Sequence, residues 1–286
     1  MQLAGFEAAL PDLRPKLHRY CARMTGSVID GEDVLQEALF NASKAVRNGT
    51  MIEEIGPWLF RIAHNTALNH IRARNSEIAM KQSFSLEMPS FSEMPKCSET
   101  ADNLRPFLSL TPKQRSTVIL RDVLGYSADE VAGLTQSTVS SVKSALHRGR
   151  ALLQDHAKLD DQTPVALSDE QRQKLERYTS CFNAHQFDIL RDMLSSEVHL
   201  ELVSVEDRNG REAVGGYFGN YSRQQDWVLV PGLVEGQAAI LVMDRADPAK
   251  QPGYFILVEF DGDTVLNIRD FRYARYVMED TQWQRV

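Results

Sequence analysis

LTPKQRSTVILRDVLGYSADEVAGLTQSTVSSVKSALHRGRALL, residues 110–153, divides into three helical phrases. Thr111 followed by Pro112 marks a helix start, with a hydroxyl to cap the first turn and a ring whose fixed φ suits it. That helix can bury Val118, Ile119 and Val123 before Gly125 ends it. Ser127 can cap a short second helix containing Val131 and Ala132, and a third begins near Thr138. Three helices with a short turn between the last two give a helix-turn-helix layout. On the third, Val139, Val142, Leu146 and Leu153 share one apolar face. The opposite face carries Ser140, Lys143, Ser144 and His147, with Arg148 and Arg150 at its margins. Short hydroxyl side chains near the helix start let the backbone approach a groove, and cations toward its end reach phosphates. A solvated surface would use the same residue types; the three-helix spacing is what favours DNA.

Upstream, Phe6 to Asn75 is helical in pattern, with apolar residues at three- and four-residue spacings. DGEDVLQEALFNASKAV starts at Asp30 and can turn Val34, Ala38 and Ala45 to a core. Gly49 and Gly56-Pro57 bracket a loop, and Pro57 suits the first residue of the next helix, WLFRIAHNTALNHIRAR. On that helix Arg61, Asn65, Asn69 and Arg72 recur at four, four and three residues and form one polar stripe. Two arginines can hold phosphates while two amides bond base edges or sugars, which suits a strand being separated. His64 and His70 read as helix-surface residues. Residues 76–103, rich in Ser, Pro, Glu and Met, read as a linker. The expected organisation is 1–75 helical, 76–103 linker, 104–158 helix-turn-helix, 159–168 linker and 169–286 a further domain.

That last domain has another texture. SDEQRQKLERYTSCFNAH and FDILRDML suggest a helix pair, and VHLELVSV, DWVLVPGLV, AAILVMD, GYFILVEF and VLNIRDFRYARYV suggest strands. Helices followed by strands indicate α+β architecture. Charge divides the same way. The net −7 splits into +1 for residues 1–160 and −8 for 161–286, so the halves are assigned different partners. Cys21, Cys97 and Cys181 have no metal spacing and read as reduced thiols. No leader and no apolar run of about 18 residues is evident, so a cytoplasmic location without membrane attachment is expected. No metal and no cofactor are called for.

Leu120-Arg121-Asp122, Gly125, Ser127, Glu130, Ala132 and the run Ser144-Ala145-Leu146-His147-Arg148-Gly149-Arg150, behind the Pro112–Arg115 opening, resemble region 4 of extracytoplasmic-function (group 4) sigma factors. Asp30, Glu32, Asp33, Gln36, Glu37, Trp58, Leu59, Ile62, Ala63 and Asn65 resemble region 2 of the same family. The resemblance implies two all-α sigma modules that bind core RNA polymerase and promoter DNA. Arg61, Asn65, Asn69 and Arg72 would then meet the minus-ten element, and the loop Arg47–Gly56 would capture an unstacked base. Ser140, Lys143, Ser144, His147, Arg148 and Arg150 would meet the minus-35 element. Asp33, Gln36 and Glu37 would meet the polymerase clamp. One departure is Gln136, where the family usually has a turn glycine; a left-handed conformation there would cost roughly 1 kcal/mol.

Residues 169–286 resemble the SnoaL-like, ketosteroid-isomerase-type cone, which implies a pocket able to take a small-molecule ligand and, fused to sigma modules, a regulatory role. His185, Asp188, His199, Glu201, Tyr217 and Asp270 are the residues an acid/base pair would be drawn from. Spacing establishes no such pair, and no catalytic residue is assigned. Two other functions remain open at this level: a helix-turn-helix regulator without sigma activity, and a small-molecule isomerase or cyclase with a DNA-binding appendage.

Overall fold

The computed structural model describes residues 2–84, 104–156, 166–222, 226–247 and 250–286. The chain forms two compact units, the first containing both helical modules and the second the C-terminal domain.

In the first unit α1 (Gln2–Thr25), α2 (Val28–Arg47) and α3 (Ile55–Phe84) pack on one another. Ser27 caps α2 by accepting from the amides of Ile29 and Asp30 at 3.2 and 3.1 Å, satisfying donors that a helix start leaves orphaned. α1 and α2 approach closely where Gly31 faces Ala22: a Cβ at Gly31 would lie 2.5 Å from the Ala22 backbone. Tyr20, Leu17, Met24, Leu35 and Phe60 fill the core between the three helices. α3 begins two residues before Pro57 and runs on to Phe84, past the expected linker start at residue 76. The extension is exposed through residues 72–80, so it has no apolar period to announce it. Its residues are nevertheless mostly fair helix formers, without glycine or proline. The rest of that expected linker, 85–103, and most of the second, 157–165, lie outside the described residues.

The second module comprises α4 (Arg105–Leu108), α5 (Pro112–Val118), a π-helical turn (Ile119–Val123), α6 (Ala128–Leu134) and α7 (Val139–His156). Thr111 and Ser127 cap their helices as the sequence suggested, and each also forms a full capping box, with Gln114 and Glu130 respectively. Gly149 lets α7 lie close on α5, since a Cβ there would meet Val118 at 2.8 Å. Gln136 does adopt a left-handed conformation, φ 50°.

The two helical modules are packed together. Arg115, 6% exposed, donates to the carbonyl of Met24 at 2.5 Å and to those of Leu108 and Leu110 at 3.1 Å. Leu108 sits against Gly26, Arg23 lies over the Phe107 ring, and Phe60 meets Tyr126 edge-on at 5.4 Å. An open surface cleft of about 300 Å³ lined by Lys16, Phe60, Tyr126 and Glu130 borders this joint.

The second unit opens with α8 (Asp169–Asn183), capped by Ser168, and α9 (Phe187–Asp192). A seven-stranded sheet follows: β1 (Leu194–Leu202), β2 (Glu206–Asn209), β3 (Trp227–Val234), β4 (Gln237–Asp244), β5 (Tyr254–Asp261), β6 (Thr264–Asp270) and β7 (Trp283–Arg285), with α10 (Arg211–Gly215) and α11 (Tyr217–Ser222) inserted after β2. The order is β2-β1-β6-β5-β4-β3-β7; β1 and β6 are parallel and the other pairs antiparallel. The expected strand VLNIRDFRYARYV ends at Asp270, because the Asp270 carboxylate caps a 3-10 turn over Phe271–Tyr273, and a second turn covers Arg275–Glu279. α8 packs on the sheet through Leu175, Tyr178 and Phe182. Its Asn183 amide holds both backbone groups of Leu229 at 2.8 Å. Phe182, Phe187, Phe218, Tyr221 and Trp227 interlock edge-to-face between helices and sheet, which fills the interior with aromatic side chains.

Candidate nucleic-acid and polymerase interfaces

On α3, Arg61, Asn65, Asn69 and Arg72 are all exposed and occupy one stripe, because α3 turns Leu59, Phe60, Ala63 and Ala67 into the core. Arg72 donates to the Asn69 side chain at 3.2 Å, so half the stripe is already internally oriented. Beyond it Arg74 pairs with Asp30 of α2 at 2.6 Å. His64 departs from expectation. It is buried, with its Nδ1 2.7 Å from the Tyr20 hydroxyl, and burial pulls its pKa down to about 4. It faces inward because it falls between Phe60 and Ala67 on the core side. His70, by contrast, is half-buried.

On α7, Val142, Ala145 and Gly149 form the buried face, with Val139, Leu146 and Leu153 half-buried. Ser140, Lys143, Ser144, His147, Arg148 and Arg150 are exposed. Five of these six point into solvent as a DNA-reading face requires. Arg150 is different: it forks onto Asp122 of the π-helical turn, at 2.9 and 2.5 Å. The Asp122 carboxylate raises its pKa further. This bidentate pair fixes α7 against the preceding turn.

On α2, Asp33 and Glu37 are exposed, whereas Gln36 is half-buried and donates to the carboxylate of Glu32 at 3.1 Å. Glu32 is itself fully buried. The structure adds a residue to this face. Phe40, 69% exposed, follows Asp33, Gln36 and Glu37 at helical spacing. A phenylalanine three positions beyond Glu37 was the available signal in the sequence.

In the second unit, Tyr217 and Asp270 come together and the other acid/base residues do not join them. The Asp270 carboxylate is buried and accepts from Tyr217 at 2.9 Å, Tyr221 at 2.6 Å and the Arg272 amide at 2.9 Å. Burial pushes its pKa up, against the pull of those hydrogen bonds. Tyr221 and Tyr254, which no spacing had singled out, complete the network, their hydroxyls 3.1 Å apart. Glu201 instead pairs with Arg269 at 2.5 Å. His199 lies 2.8 Å from Asn209, and Asp188 pairs with Arg191. Cys21 and Cys181 are free thiols, while Cys97 lies outside the described residues. No helix among the described residues is long and apolar enough to cross a membrane.

The first unit thus combines a helical module carrying an exposed amide-and-arginine stripe with a capped helix-turn-helix. The family model for Sigma-70 region 2 matches residues 12–77, and that for Sigma-70, region 4 matches residues 107–153. The ECF RNA polymerase sigma factor SigG of Mycobacterium tuberculosis is 30% identical, an alignment covering 93% of this chain and 80% of that protein. The chain therefore belongs to the extracytoplasmic-function family of RNA polymerase sigma factors. It is a transcription-initiation factor and not an enzyme, and the reading of the helix-turn-helix as a regulator without sigma activity is not favoured. Among solved structures, the M. tuberculosis extracytoplasmic-function sigma factor SigJ is 17% identical, covering 92% of this chain and 95% of that one at a TM-score of 0.37. A putative ketosteroid isomerase from Kribbella flavida is 15% identical, covering 36% of this chain and 77% of that one at a TM-score of 0.27.

Proposed function

We propose a division of labour for this sigma factor. The α3 stripe Arg61, Asn65, Asn69 and Arg72 holds the separated minus-ten strand, and Ser140, Lys143, Ser144, His147 and Arg148 on α7 read the minus-35 duplex. Asp33, Glu37 and Phe40 on α2 dock on core polymerase, with Gln36 supporting them through Glu32. The observation that carries this reading is the exposure of each set on one helix face while the opposite face is buried. Arg150 tethers α7 to Asp122 and contributes to DNA indirectly.

The packing of the two modules adds a step. A compact unit of this size has a radius of gyration of about 15 Å and spans about 40 Å. Minus-ten and minus-35 elements are separated by roughly 25 base pairs, or about 85 Å at roughly 3.4 Å each. The modules therefore separate before both elements are read together, and the joint at Arg115 and Tyr126 sets the free energy of that opening.

The acidic second unit tunes this activity, and its cavity of about 280 Å³ is the seat of a small-molecule effector. Its charge of −8 over residues 161–286 lets it compete with DNA for cationic surfaces. Transcription by purified core polymerase from a selected promoter pool tests the scheme. Lys143→Ala is expected to weaken minus-35 recognition, and Asn65→Ala to impair promoter opening more than polymerase binding. Removal of residues 169–286 is expected to change promoter-specific rates; unchanged rates and polymerase affinity would reject the tuning role.

A further inference from the structure

The cavity in the second unit has a composition that specifies the charge of its ligand. Trp227 of β3 and Val242 of β4, which share one face of the sheet, supply apolar lining. Arg272 and Arg275, from the two turns that follow β6, and Lys250, from the β4–β5 connection, also line it. Both arginines are laid on aromatic rings. The Arg272 guanidinium lies 5.1 Å from the Tyr221 ring centre, and that of Arg275 lies 5.3 Å from Tyr254, within the range of cation–π attraction. The rings are themselves fixed, since the two tyrosine hydroxyls bond each other and Tyr221 bonds the buried Asp270. Arg275 also gives its Nε–H to the Arg272 carbonyl at 3.3 Å. Two guanidinium planes held in this way have little rotamer freedom left to lose on binding, which is the preorganisation that favours a planar oxyanion.

Two features sharpen the choice. Asp226 and Asp244 also line the cavity, at the β3–β4 end where Trp227 and Asp244 are register partners. Among the described residues three cations and two carboxylates line the cavity, and the buried Asp270 carboxylate also acts on Arg272, so the site suits a single anionic group rather than a polyanion. The Trp227 indole N–H is buried, with no hydrogen-bond acceptor among the described residues, which leaves a donor beside the apolar lining. In a unit whose overall charge is strongly negative, such a cationic concavity is a local reversal that would draw a small anion out of solution.

We infer that this cavity binds a small organic monocarboxylate, its carboxylate held by Arg272 and Arg275 and its flat apolar body lying against Trp227. The inference rests on the reading of the cavity as an effector site and adds the chemical class of the effector.

The test is calorimetric titration of the full-length protein with three probes that share one ring and differ in charge: benzoate, benzamide and benzylamine. Benzoate is expected to bind with a Kd of about 1 mM or tighter, and benzamide and benzylamine at least about tenfold more weakly. Arg275→Gln, a change at an exposed side chain, is expected to reduce benzoate affinity at least about tenfold, and Arg275→Lys to restore only part of it. Equal binding of benzoate and benzamide, or tighter binding of benzylamine, would overturn the carboxylate assignment while leaving a small-molecule site. Binding of none of the three would reject both the assignment and the effector reading. Benzoate binding that Arg275→Gln leaves unchanged would place the anion elsewhere and refute the proposal.

Discussion

Replacing Tyr126 by alanine should open the first unit. Tyr126 lies in the connection before α6 and meets the fully buried Phe60 of α3 edge-on at 5.4 Å and 72°. An aromatic pair of this geometry contributes about 0.5–1.5 kcal/mol beyond burial. Covering about half of a large side chain adds roughly 1 kcal/mol. The sum, about 2 kcal/mol, corresponds to roughly a 30-fold shift from closed toward open. Spin labels at Ala73→Cys and Ala151→Cys, both exposed positions on α3 and α7, report the separation by pulsed electron resonance. Cys97 and Cys181 are replaced by serine; Cys21 can stay, because it is fully buried and burial pushes its thiol pKa well up, so little reactive thiolate forms. A longer-distance population should grow in Tyr126→Ala and not in Tyr126→Phe, which keeps the ring. Identical distance distributions in all three proteins would refute the argument that this joint controls opening.

Lys143→Ala should weaken minus-35 duplex binding and lower the slope of log affinity against log salt by about 1, measured by fluorescence anisotropy across a salt series. Gln136→Gly should stabilise the helix-turn-helix by about 0.5–1 kcal/mol, since glycine takes φ 50° without a Cβ penalty but gives back some chain entropy; thermal denaturation reads the change. His64 has a folded pKa of about 4, below its ordinary 6.5. The stability it contributes is therefore present above pH 6.5 and lost as pH falls from there toward 4, by up to about 3 kcal/mol. Urea denaturation at a series of pH values should show this slope in the native chain, and His64→Gln should flatten it.

How much of this was legible in the sequence depended on whether a local signal existed. Thr111 and Ser127 announce their helices because an N-cap is chemistry within four residues, and the structure has both caps. The α3 and α7 faces were readable because helical spacing alone separates Arg61 or Lys143 from the core side. The end of α3 was not: a helix exposed all round has no period, and only its lack of breakers carries it to Phe84. His64 was misplaced for a related reason, since an imidazole facing Tyr20 across forty-four residues of sequence leaves no local trace. β2, Glu206–Asn209, is entirely polar as an edge strand can be, and β7 is only three residues long. Neither shows an alternation long enough to recognise. The Asp270 network joins residues from α11, β5 and β6, and only the fold brings them together. Arg115 was visible as part of a motif, but its bond to Met24 depends on how the two modules meet.

In the proposed scheme one chain uses two separate faces on a promoter, one for opening and one for upstream recognition. Its most direct measurement is permanganate footprinting of thymines in the minus-ten region, on one promoter, with core polymerase and either the native chain, Asn65→Ala or Lys143→Ala. The account predicts that Asn65→Ala keeps polymerase and upstream duplex binding but loses minus-ten reactivity. Lys143→Ala should lose upstream binding, yet show native reactivity once the complex is saturated. Native footprints and native upstream binding for both variants, or loss of the same step in both, would contradict it.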